Sequence, residues 1–374
     1  MEKIKVHIMA SNHPVYNEII AQPPENVEYQ VKTTSEVGAK QPKFKKFVNQ
    51  SIIKAFSVLN VPRYVYVKTD ADLIHSSRGL LPLNDKPWVL DAEYSLPFFM
   101  RHENSSSEWC KNKIRKMLLS KNCKKIIPFS HIGIKSIIST FNLEGHEDKF
   151  KVIYPAVKPS GLARSNDTNK IKFLFVGRRF FGKGGRETLE AFRIIKKKYP
   201  KAELTMWCDD VPQEYIQDYK EVNFISEFLP RDYLIKELYC KSDIFIMPTY
   251  IDTFGMVFLE AMSLGLPIIS TDVFAVPEIV EDRKSGLIVK SNVSLWDKNG
   301  NNSFIGKEKE FDEILKASKP EIVKQLVDCA SELIENPKLR ESLGAYGKKM
   351  IEKGKFSIKQ RNKDLYNVYK EALL

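Results

Sequence analysis

The chain has 374 residues, of which 43% are hydrophobic and 28% charged, and its formal net charge is +12. This length exceeds what one hydrophobic core usually supports, so we expect two domains. No apolar run approaches 18 residues, so no helix is expected to span a membrane. The positive charge favours anionic partners such as nucleotides, phospholipid surfaces or nucleic acid. The five cysteines include no CxxC pair, which is typical of reduced thiols in a cytosolic protein.

The first half of the sequence alternates strand-like and helix-like stretches. The N-terminus lacks the apolar core of a secretory signal and is typical of a first strand, which predicts a cytoplasmic protein. A helical stretch ends at Phe141, and polar residues 158–170 contain Pro and Gly and indicate a linker. The predicted strands are residues 4–10, 63–68, 72–76, 87–93 and 125–130.

One segment of the first half, Lys111–Lys125, combines basic and apolar side chains. Two interpretations remain open for it. A basic amphipathic segment can lie on an anionic membrane surface. Alternatively, its apolar stripe packs on the core and its lysines are solvated.

The second half also alternates strands with helices, which predicts parallel, doubly wound sheets. We interpret residues 293–318 as a polar surface insertion, and residues 356–374 have a helical pattern. The predicted strands are residues 171–177, 202–207 and 222–225, and the predicted helices are residues 186–199 and 231–240.

A glycine-bearing loop follows the first strand of this half. It contains Gly177, Arg178, Lys183 and Gly184 between the strand and the next helix. Two cations five residues apart in such a loop can reach a diphosphate, since glycine allows close backbone approach. By itself the pattern is equally consistent with two surface cations.

Residues 243–271 form a predicted βαβ unit. An apolar strand ends before Pro248, a loop carries Asp252, and Gly255 opens a helix that contains Glu260. The first amides of that helix are a phosphate site. Glu260 lies on an otherwise apolar helix, where sugar or ribose hydroxyls would satisfy its carboxylate. The alternative is an ordinary βαβ unit with a solvated Asp and a helix-surface Glu.

The spacing P-T-Y-x-D-x-F-G-x-x-x-L-E-A-M-x-x-G-x-P, together with G-R-x(4)-K-G, resembles the signature of the retaining glycosyltransferases of family 4. The resemblance implies an α/β protein with the GT-B fold, in which two Rossmann-like, doubly wound domains face each other across a cleft. The acceptor-binding domain would be residues 1–157, completed by the C-terminal helix of residues 356–374, and the nucleotide-sugar-binding domain residues 158–355. The chain departs from the pattern in having Asp252 where Glu is usual, and residues 10–14 in place of a glycine-rich loop.

The resemblance also implies residue roles. Arg178 and Lys183 would neutralise the donor phosphates, Asp252 would hold hydroxyls of the donor sugar, and Glu260 would hold the ribose. Glu93 stands where the family commonly has His, and it either contacts the sugar or acceptor or caps the following helix. The predicted catalytic residues are Asp252, Glu93, Arg178 and Lys183, and the predicted donor-binding residues are Arg178, Lys183, Gly184, Asp252, Thr253, Phe254, Gly255, Met256, Val257 and Glu260.

The implied function is transfer of a hexosyl group, with retention and without a metal or cofactor, from a nucleotide-sugar to a glycan, lipid-linked or protein-linked acceptor. Asp70-Ala71-Asp72 matches a DxD metal motif but lies in the half opposite the donor domain. A peripheral membrane location would use Lys111–Lys125. The alternatives are a GT-B phosphorylase or sucrose-synthase-like enzyme, and, from the charge alone, a nucleic-acid-binding protein. No nucleic-acid recognition motif is present, so we expect no such partner.

Overall fold

The computed structural model describes residues 3–10, 14–33, 61–164 and 169–374. The chain divides into two compact units. The first unit consists of Met1–Ala156, Asp297–Gly306 and Ile358–Leu374, and the second of Val157–Trp296 and Lys307–Ser357. Residues 11–13, in the loop after the first strand, and residues 165–168 of the predicted linker lie outside the described part of the chain.

The first unit contains a five-stranded parallel sheet, in the order β2-β1-β4-β6-β7. The central strands β4 and β6 are buried throughout, as expected when helices cover both faces of a parallel sheet. Strands β3 and β5 form a separate parallel pair. The strands are β1 Ile4–Ala10, β2 Val27–Thr33, β3 Tyr64–Val65, β4 Leu73–Ser76, β5 Leu81–Pro82, β6 Trp88–Ala92 and β7 Cys123–Pro128.

Within the described residues before the second unit, the α-helices are α1 Pro14–Ala21, α2 Glu108–Leu118 and α3 His131–Phe141. Helices α2 and α3 begin at Ser107 and Ser130, whose side chains accept hydrogen bonds from backbone amides of the first turn. The apolar face of α2 and the end of α3 join one hydrophobic core with the strands. Its large members include Trp88, Phe98 and Phe141, all at most 1% exposed.

Part of the predicted insertion belongs to the first unit. The Oδ1 atom of Asn301 accepts hydrogen bonds from Ser136 and Thr140 of α3, each at 2.9 Å. Its Nδ2 atom donates to the Ser139 hydroxyl at 3.0 Å. Residues 297–306 are therefore docked on α3, and the polar composition that suggested a surface insertion reflects a hydrogen-bonded contact.

The second unit contains a six-stranded parallel sheet, in the order β10-β9-β8-β11-β12-β13. Its strands are β8 Ile171–Val176, β9 Ala202–Trp207, β10 Asn223–Ile225, β11 Ile244–Ile246, β12 Ile268–Thr271 and β13 Gly286–Val289. Its helices are α4 Gly185–Lys198, α5 Gln213–Asp218, α6 Arg231–Tyr233, α7 Met256–Ser263, α8 Val276–Ile279, α9 Glu308–Lys316, α10 Pro320–Glu335 and α11 Pro337–Glu352. The last helix of the chain, α12 Ile358–Ala372, belongs to the first unit.

Several elements differ from the sequence prediction. Strand β2 was not predicted, and the strand expected at residues 63–68 is reduced to Tyr64–Val65 in the separate pair. The helix expected at residues 231–240 is instead the short α6, a π-turn at Leu234–Leu238 and a 3₁₀ turn at Tyr239–Lys241. The π-turn is followed directly by Tyr239, whose buried ring stacks on Phe245 of β11.

None of the helices in the described ranges is long and apolar enough to cross a membrane. All five cysteines are free. Burial raises the pKa of the Cys123 thiol to about 12 and that of Cys329 to about 11, so these thiols are protonated at neutral pH.

Candidate functional site

Two loops at the carboxyl ends of β8 and β11 meet in the second unit. In a parallel α/β sheet, this end of neighbouring strands is where ligands bind. The first loop leads from β8 to α4, and Tyr250 of the second loop donates its amide to the carbonyl of Gly182 at 2.9 Å. Gly184 has φ +74°, and a Cβ there would lie 2.3 Å from the carbonyl oxygen of Pro248. Only glycine permits this close approach of the two loops.

The loops bring Lys183 and Asp252 together. The Lys183 Nζ atom lies 2.6 Å from Asp252 Oδ2, and the two side chains are 17% and 13% exposed. The Lys183 side chain runs beside Gly177, where a Cβ would lie 3.1 Å from Lys183 Cγ. The sequence predicted both charged residues for one site, and the structure makes them direct partners.

The N-terminus of α7 opens beside this ion pair. Gly255 is its N-cap, with φ +83°, and a Cβ at this residue would lie 3.2 Å from Asp252 Oδ2. Neither Gly255 at α7 nor Gly184 at α4 supplies a side-chain cap within the described structure. The amino end of α7, with its partial positive charge, therefore adjoins the Lys183–Asp252 pair.

Glu260 lies further along α7 and is only 7% exposed. Its Oε1 atom accepts from Arg231 Nε at 2.8 Å, and its Oε2 atom accepts from the Tyr239 hydroxyl at 3.1 Å. Burial, followed by the charge of Glu260, raises the pKa of Tyr239 well above its usual range, so the hydroxyl stays a donor. The prediction of an unsatisfied carboxylate on an apolar helix missed these two partners.

Arg178 points to a different partner. Its Nε atom donates to Asp209 Oδ2 at 2.6 Å, and its side chain is 75% exposed. The neighbouring carboxylate of Asp210 accepts the amide of Phe180 at 2.8 Å. Cys208, Asp209 and Asp210 form a group with metal-ligand spacing, but both carboxylates already bind these cationic or amide donors.

The remaining predicted donor-binding residues have varied environments. The amide of Gly184 donates to the carbonyl of Phe181, so this glycine acts through its shape rather than its amide. Phe254 is 4% exposed and packs edge-on against Phe356, which makes it a core residue. Thr253, Met256 and Val257 are partly exposed around the start of α7.

Glu93 follows β6 in the first unit and is 8% exposed. Its Oε1 atom lies 3.9 Å from Arg78 Nε. The N-cap of the following 3₁₀ turn is Ser95, not Glu93, so the capping interpretation of Glu93 is wrong. The sequence analysis overlooked Asp91, two residues earlier, which accepts hydrogen bonds from the Tyr16 hydroxyl at 2.5 Å and the Arg78 amide at 3.0 Å.

The DxD-like motif also has structural partners. The amide of Lys5 donates to Asp72 Oδ2 at 2.9 Å, which joins β1 to the start of β4. The side-chain amide of Gln30 donates to Asp70 Oδ1 at 3.0 Å.

The basic segment Lys111–Lys125 covers most of α2 and the start of β7. Ile114 and Leu118 are fully buried in the core of the first unit, while Lys113, Lys116 and Lys121 are exposed. The interpretation in which the apolar stripe packs on the core therefore agrees with the structure, and only the basic face is available to a partner.

Residues 163–299 match the family model of glycosyl transferases group 1. The capsular polysaccharide biosynthesis glycosyltransferase CapM of Staphylococcus aureus is 26% identical over 204 residues, which are 52% of this chain and 45% of CapM. An uncharacterised glycosyltransferase of Methanocaldococcus jannaschii is 29% identical over 187 residues, 44% of this chain and 46% of the relative. The matched stretch thus spans less than half the length of either relative.

Solved structures match over the whole chain. A glycosyltransferase from Rickettsia africae, at 15% identity, covers 100% of this chain and 99% of its own, with a TM-score of 0.63. Anabaena HepE in complex with UDP and glucose, at 12% identity, covers 99% of this chain and 100% of its own, with a TM-score of 0.60. The fold is GT-B.

The GT-B assignment confirms the fold class predicted from the sequence. The five-stranded and six-stranded parallel sheets are the central sheets of its two Rossmann-like domains. The family match covers the β8–α4 loop, the Lys183–Asp252 pair and all of α7. The candidate site of the second unit therefore lies within the segment that is similar to group 1 glycosyl transferases.

Proposed function

We propose that this protein is a retaining glycosyltransferase that moves a hexosyl group from a nucleotide-sugar to a glycan, lipid-linked or protein-linked acceptor. The observation that carries the proposal is the Lys183–Asp252 pair beside the uncapped start of α7, inside the segment similar to group 1 glycosyl transferases. Two structural neighbours, Staphylococcus aureus TarM and Anabaena HepE, have structures in complex with UDP, which supports a nucleoside diphosphate as the recognised group.

In this proposal, the donor diphosphate binds between Lys183 and the amides of Gly255, Met256 and Val257. Negative charge grows on the leaving phosphate as the bond from the anomeric carbon breaks, and a fixed ammonium and helix amides stabilise that charge. Two protein cations, Lys183 and Arg178, supply this stabilisation without a metal or a cofactor. Arg178 is exposed and leaves Asp209 to reach the diphosphate.

The carboxylates hold the two sugars. In this proposal Asp252 accepts hydrogen bonds from donor-sugar hydroxyls while it keeps its ion pair with Lys183. Glu260, whose carboxylate is held by Arg231 and Tyr239, accepts hydrogen bonds from the ribose hydroxyls. Glu93 of the first unit is proposed to contact the sugar or the acceptor.

Retention would follow from attack on the same face as the leaving group. The bond between the anomeric carbon and the phosphate oxygen breaks, a bond from the acceptor oxygen forms, and the acceptor proton passes to the leaving phosphate. Analysis of the product's anomeric configuration by NMR tests this step, and an inverted product would contradict it.

Binding of UDP-, GDP- and ADP-sugars, measured by thermal shift and calorimetry on the full chain, tests the donor assignment. We expect one base to raise Tm in a concentration-dependent way. Release of sugar phosphate in the presence of inorganic phosphate would instead favour the phosphorylase alternative. Failure of all nucleotide-sugars and nucleoside diphosphates to bind would contradict the proposal.

We also propose a peripheral location at the cytoplasmic face of a membrane. The exposed Lys113, Lys116 and Lys121 support it, with attraction by charge rather than by insertion of the buried apolar side chains. Sedimentation with phosphatidylserine vesicles should fall when these three lysines are replaced by Gln. Replacement of three exposed lysines of the second unit, Lys201, Lys220 and Lys338, is the matched control.

A further inference from the structure

The second part of the predicted insertion leads to a buried ion pair. Helix α9 ends at Lys316, and Lys319 then places its Nζ atom 2.9 Å from Glu187 Oε1 of α4. The two side chains are 5% and 1% exposed. The other two ammonium protons bind the carbonyls of Leu315 and Ala317, each at 2.8 Å. All three donors of Lys319 are therefore in use.

The aromatic ring of Tyr250 lies on another side of the same ammonium. The Lys319 Nζ atom is 5.1 Å from the ring centroid, within the range of a cation–π interaction, and Tyr250 is fully buried. Lys319 thus contacts both α4, through Glu187, and the β11–α7 loop, through Tyr250.

These two contacts are close in sequence to the residues of the proposed diphosphate site. Glu187 lies in the first turn of α4, four residues after Lys183. Tyr250 is two residues before Asp252. The ammonium of Lys319 therefore connects the element that carries Lys183 to the loop that carries Asp252.

Helix α9 makes two further contacts with the first of these elements. The Arg186 guanidinium donates to the carbonyl of Lys316 at the end of α9. The Lys316 ammonium lies 5.9 Å from the ring centroid of Phe181, in the same loop as Lys183. The segment from α9 to Lys319 is therefore fixed to the start of α4, through Arg186 and Glu187, and to the β8–α4 loop, through Phe181.

A buried ion pair is a poor means of gaining stability. Removing two charges from water costs about as much as their attraction returns, and apolar side chains of similar volume are often neutral or better. What such a pair supplies is one defined geometry, since every donor of Lys319 has a directed acceptor. Glu187 also lies in the first turn of α4, where an unpaired carboxylate would repel a bound diphosphate.

We propose that Lys319 is a positioning residue, which holds the loops of Lys183 and Asp252 at the spacing that binds the donor diphosphate and neutralises Glu187 beside it. The proposal rests on the proposed function for its ligand. The effect of Lys319 on the two loops can be measured by amide hydrogen exchange without that ligand.

The test uses the double variant Glu187→Leu/Lys319→Met, which removes both charges and keeps the volume filled. We expect a Tm equal to or above that of the wild type, because no unpaired charge is left. The affinity for the nucleoside diphosphate that the wild type binds among UDP, GDP and ADP should fall roughly tenfold to a hundredfold. Amide hydrogen exchange should become faster in residues 182–188 and 249–255.

The matched control is Glu332→Leu/Arg283→Met, which removes an exposed ion pair of the same unit, also at 2.9 Å. It should leave affinity and exchange unchanged. Unchanged exchange in the two loop segments of the Glu187/Lys319 double variant would overturn the proposal, as would wild-type affinity for the diphosphate. If the wild type binds none of the three diphosphates, the proposed function fails, and the exchange measurement alone decides the role of Lys319.

Discussion

At the scale of single residues, the sequence located the charged groups of the site better than their partners. The motif spacing placed Lys183, Asp252 and Glu260 in one unit, because each lies at a fixed distance from a glycine that precedes a helix. Their partners follow no motif: Asp209 is 31 residues from Arg178, and Arg231 and Tyr239 are 29 and 21 residues from Glu260. Such pairings depend on the direction of side chains in the folded unit, which local spacing does not encode.

Replacing Lys183 by Ala tests the central cation. A hydrogen bond between charged groups is worth about 2 kcal/mol, so we expect roughly a thirtyfold loss of affinity for the donor diphosphate. Calorimetric titration measures it. Lys170→Ala is the control, since Lys170 makes an ion pair of the same 2.6 Å length with Glu203 that is about half exposed. Equal losses in both variants would contradict the assignment of Lys183.

The glycine at the start of α4 gives a prediction about stability. Gly184→Ala should destabilise the protein by more than about 2 kcal/mol, because the new Cβ meets the carbonyl of Pro248 and the backbone has a positive φ. Gly161→Ala is the comparison, since Gly161 also has a positive φ, of 67°, but has nothing within 4 Å of the new Cβ. Its cost should be about 1 kcal/mol. Thermal and urea unfolding of both variants would show similar losses if the close approach were unimportant.

At the scale of elements, apolar strands and their following helices were predictable, and elements set by packing were not. Residues 173–176 of β8 and residues 244–247, which begin with β11, are buried, continuous apolar runs followed by a glycine and a proline. Strand β2 lies at the sheet edge, and its partly exposed Glu28, Gln30 and Val31 give no apolar run. The break in the helix after α6 has no local signal either, since it accompanies the burial of Tyr239.

The buried ion pair between Glu187 of α4 and Lys319, just before α10, predicts that the stability of the protein depends on pH. Burial raises the pKa of Glu187 above 4.5, and the attraction of Lys319 opposes this only in part. The folded state then binds a proton that the unfolded state has lost, so the contribution of Glu187 to stability falls as pH rises from about 4.5 through the folded pKa. We expect the difference in unfolding free energy, wild type minus Glu187→Gln, to decrease over that range.

An exposed carboxyl in the same unit should behave in the opposite way. Hydrogen bonds from Tyr199 and Lys198 lower the pKa of Glu335, so its contribution is present above 4.5 and is lost as pH falls. Urea unfolding of Glu187→Gln and Glu335→Gln at several pH values compares the two signs. The same direction in both variants would contradict the pKa shift of Glu187.

At the scale of the whole molecule, the fold class followed from alternation of strands and helices together with the family signature. The first unit consists of three separate stretches of the chain, and the sequence does not predict the middle one, residues 297–306. Asn301 joins this stretch to α3 through hydrogen bonds, which a polar sequence alone does not indicate. The C-terminal helix α12 belongs to the longer of the two stretches that join the first unit from late in the sequence. Leu365, Val368 and Tyr369 of this helix are at most 2% exposed.

Deleting residues 358–374 should therefore unfold the first unit. Each large apolar side chain that loses its burial costs about 1.5–3 kcal/mol, and the loss from several approaches the 5–15 kcal/mol that stabilises a typical domain. Limited proteolysis should then cut the first unit rapidly and leave the second intact. Deletion of the exposed Leu373 and Leu374 alone is the control and should leave the cleavage pattern unchanged.

The division of the chain also sets an order of maturation during translation. When residue 357 has left the ribosome, every stretch of the second unit has been synthesised, whereas the first unit still lacks the helix that buries Tyr369. Although the first unit begins at the N-terminus, it is the last to be completed. The nascent chain thus carries the parallel sheet of the first unit without α12 during the synthesis of more than 200 residues, and chaperones that recognise exposed apolar strands have most opportunity to bind there.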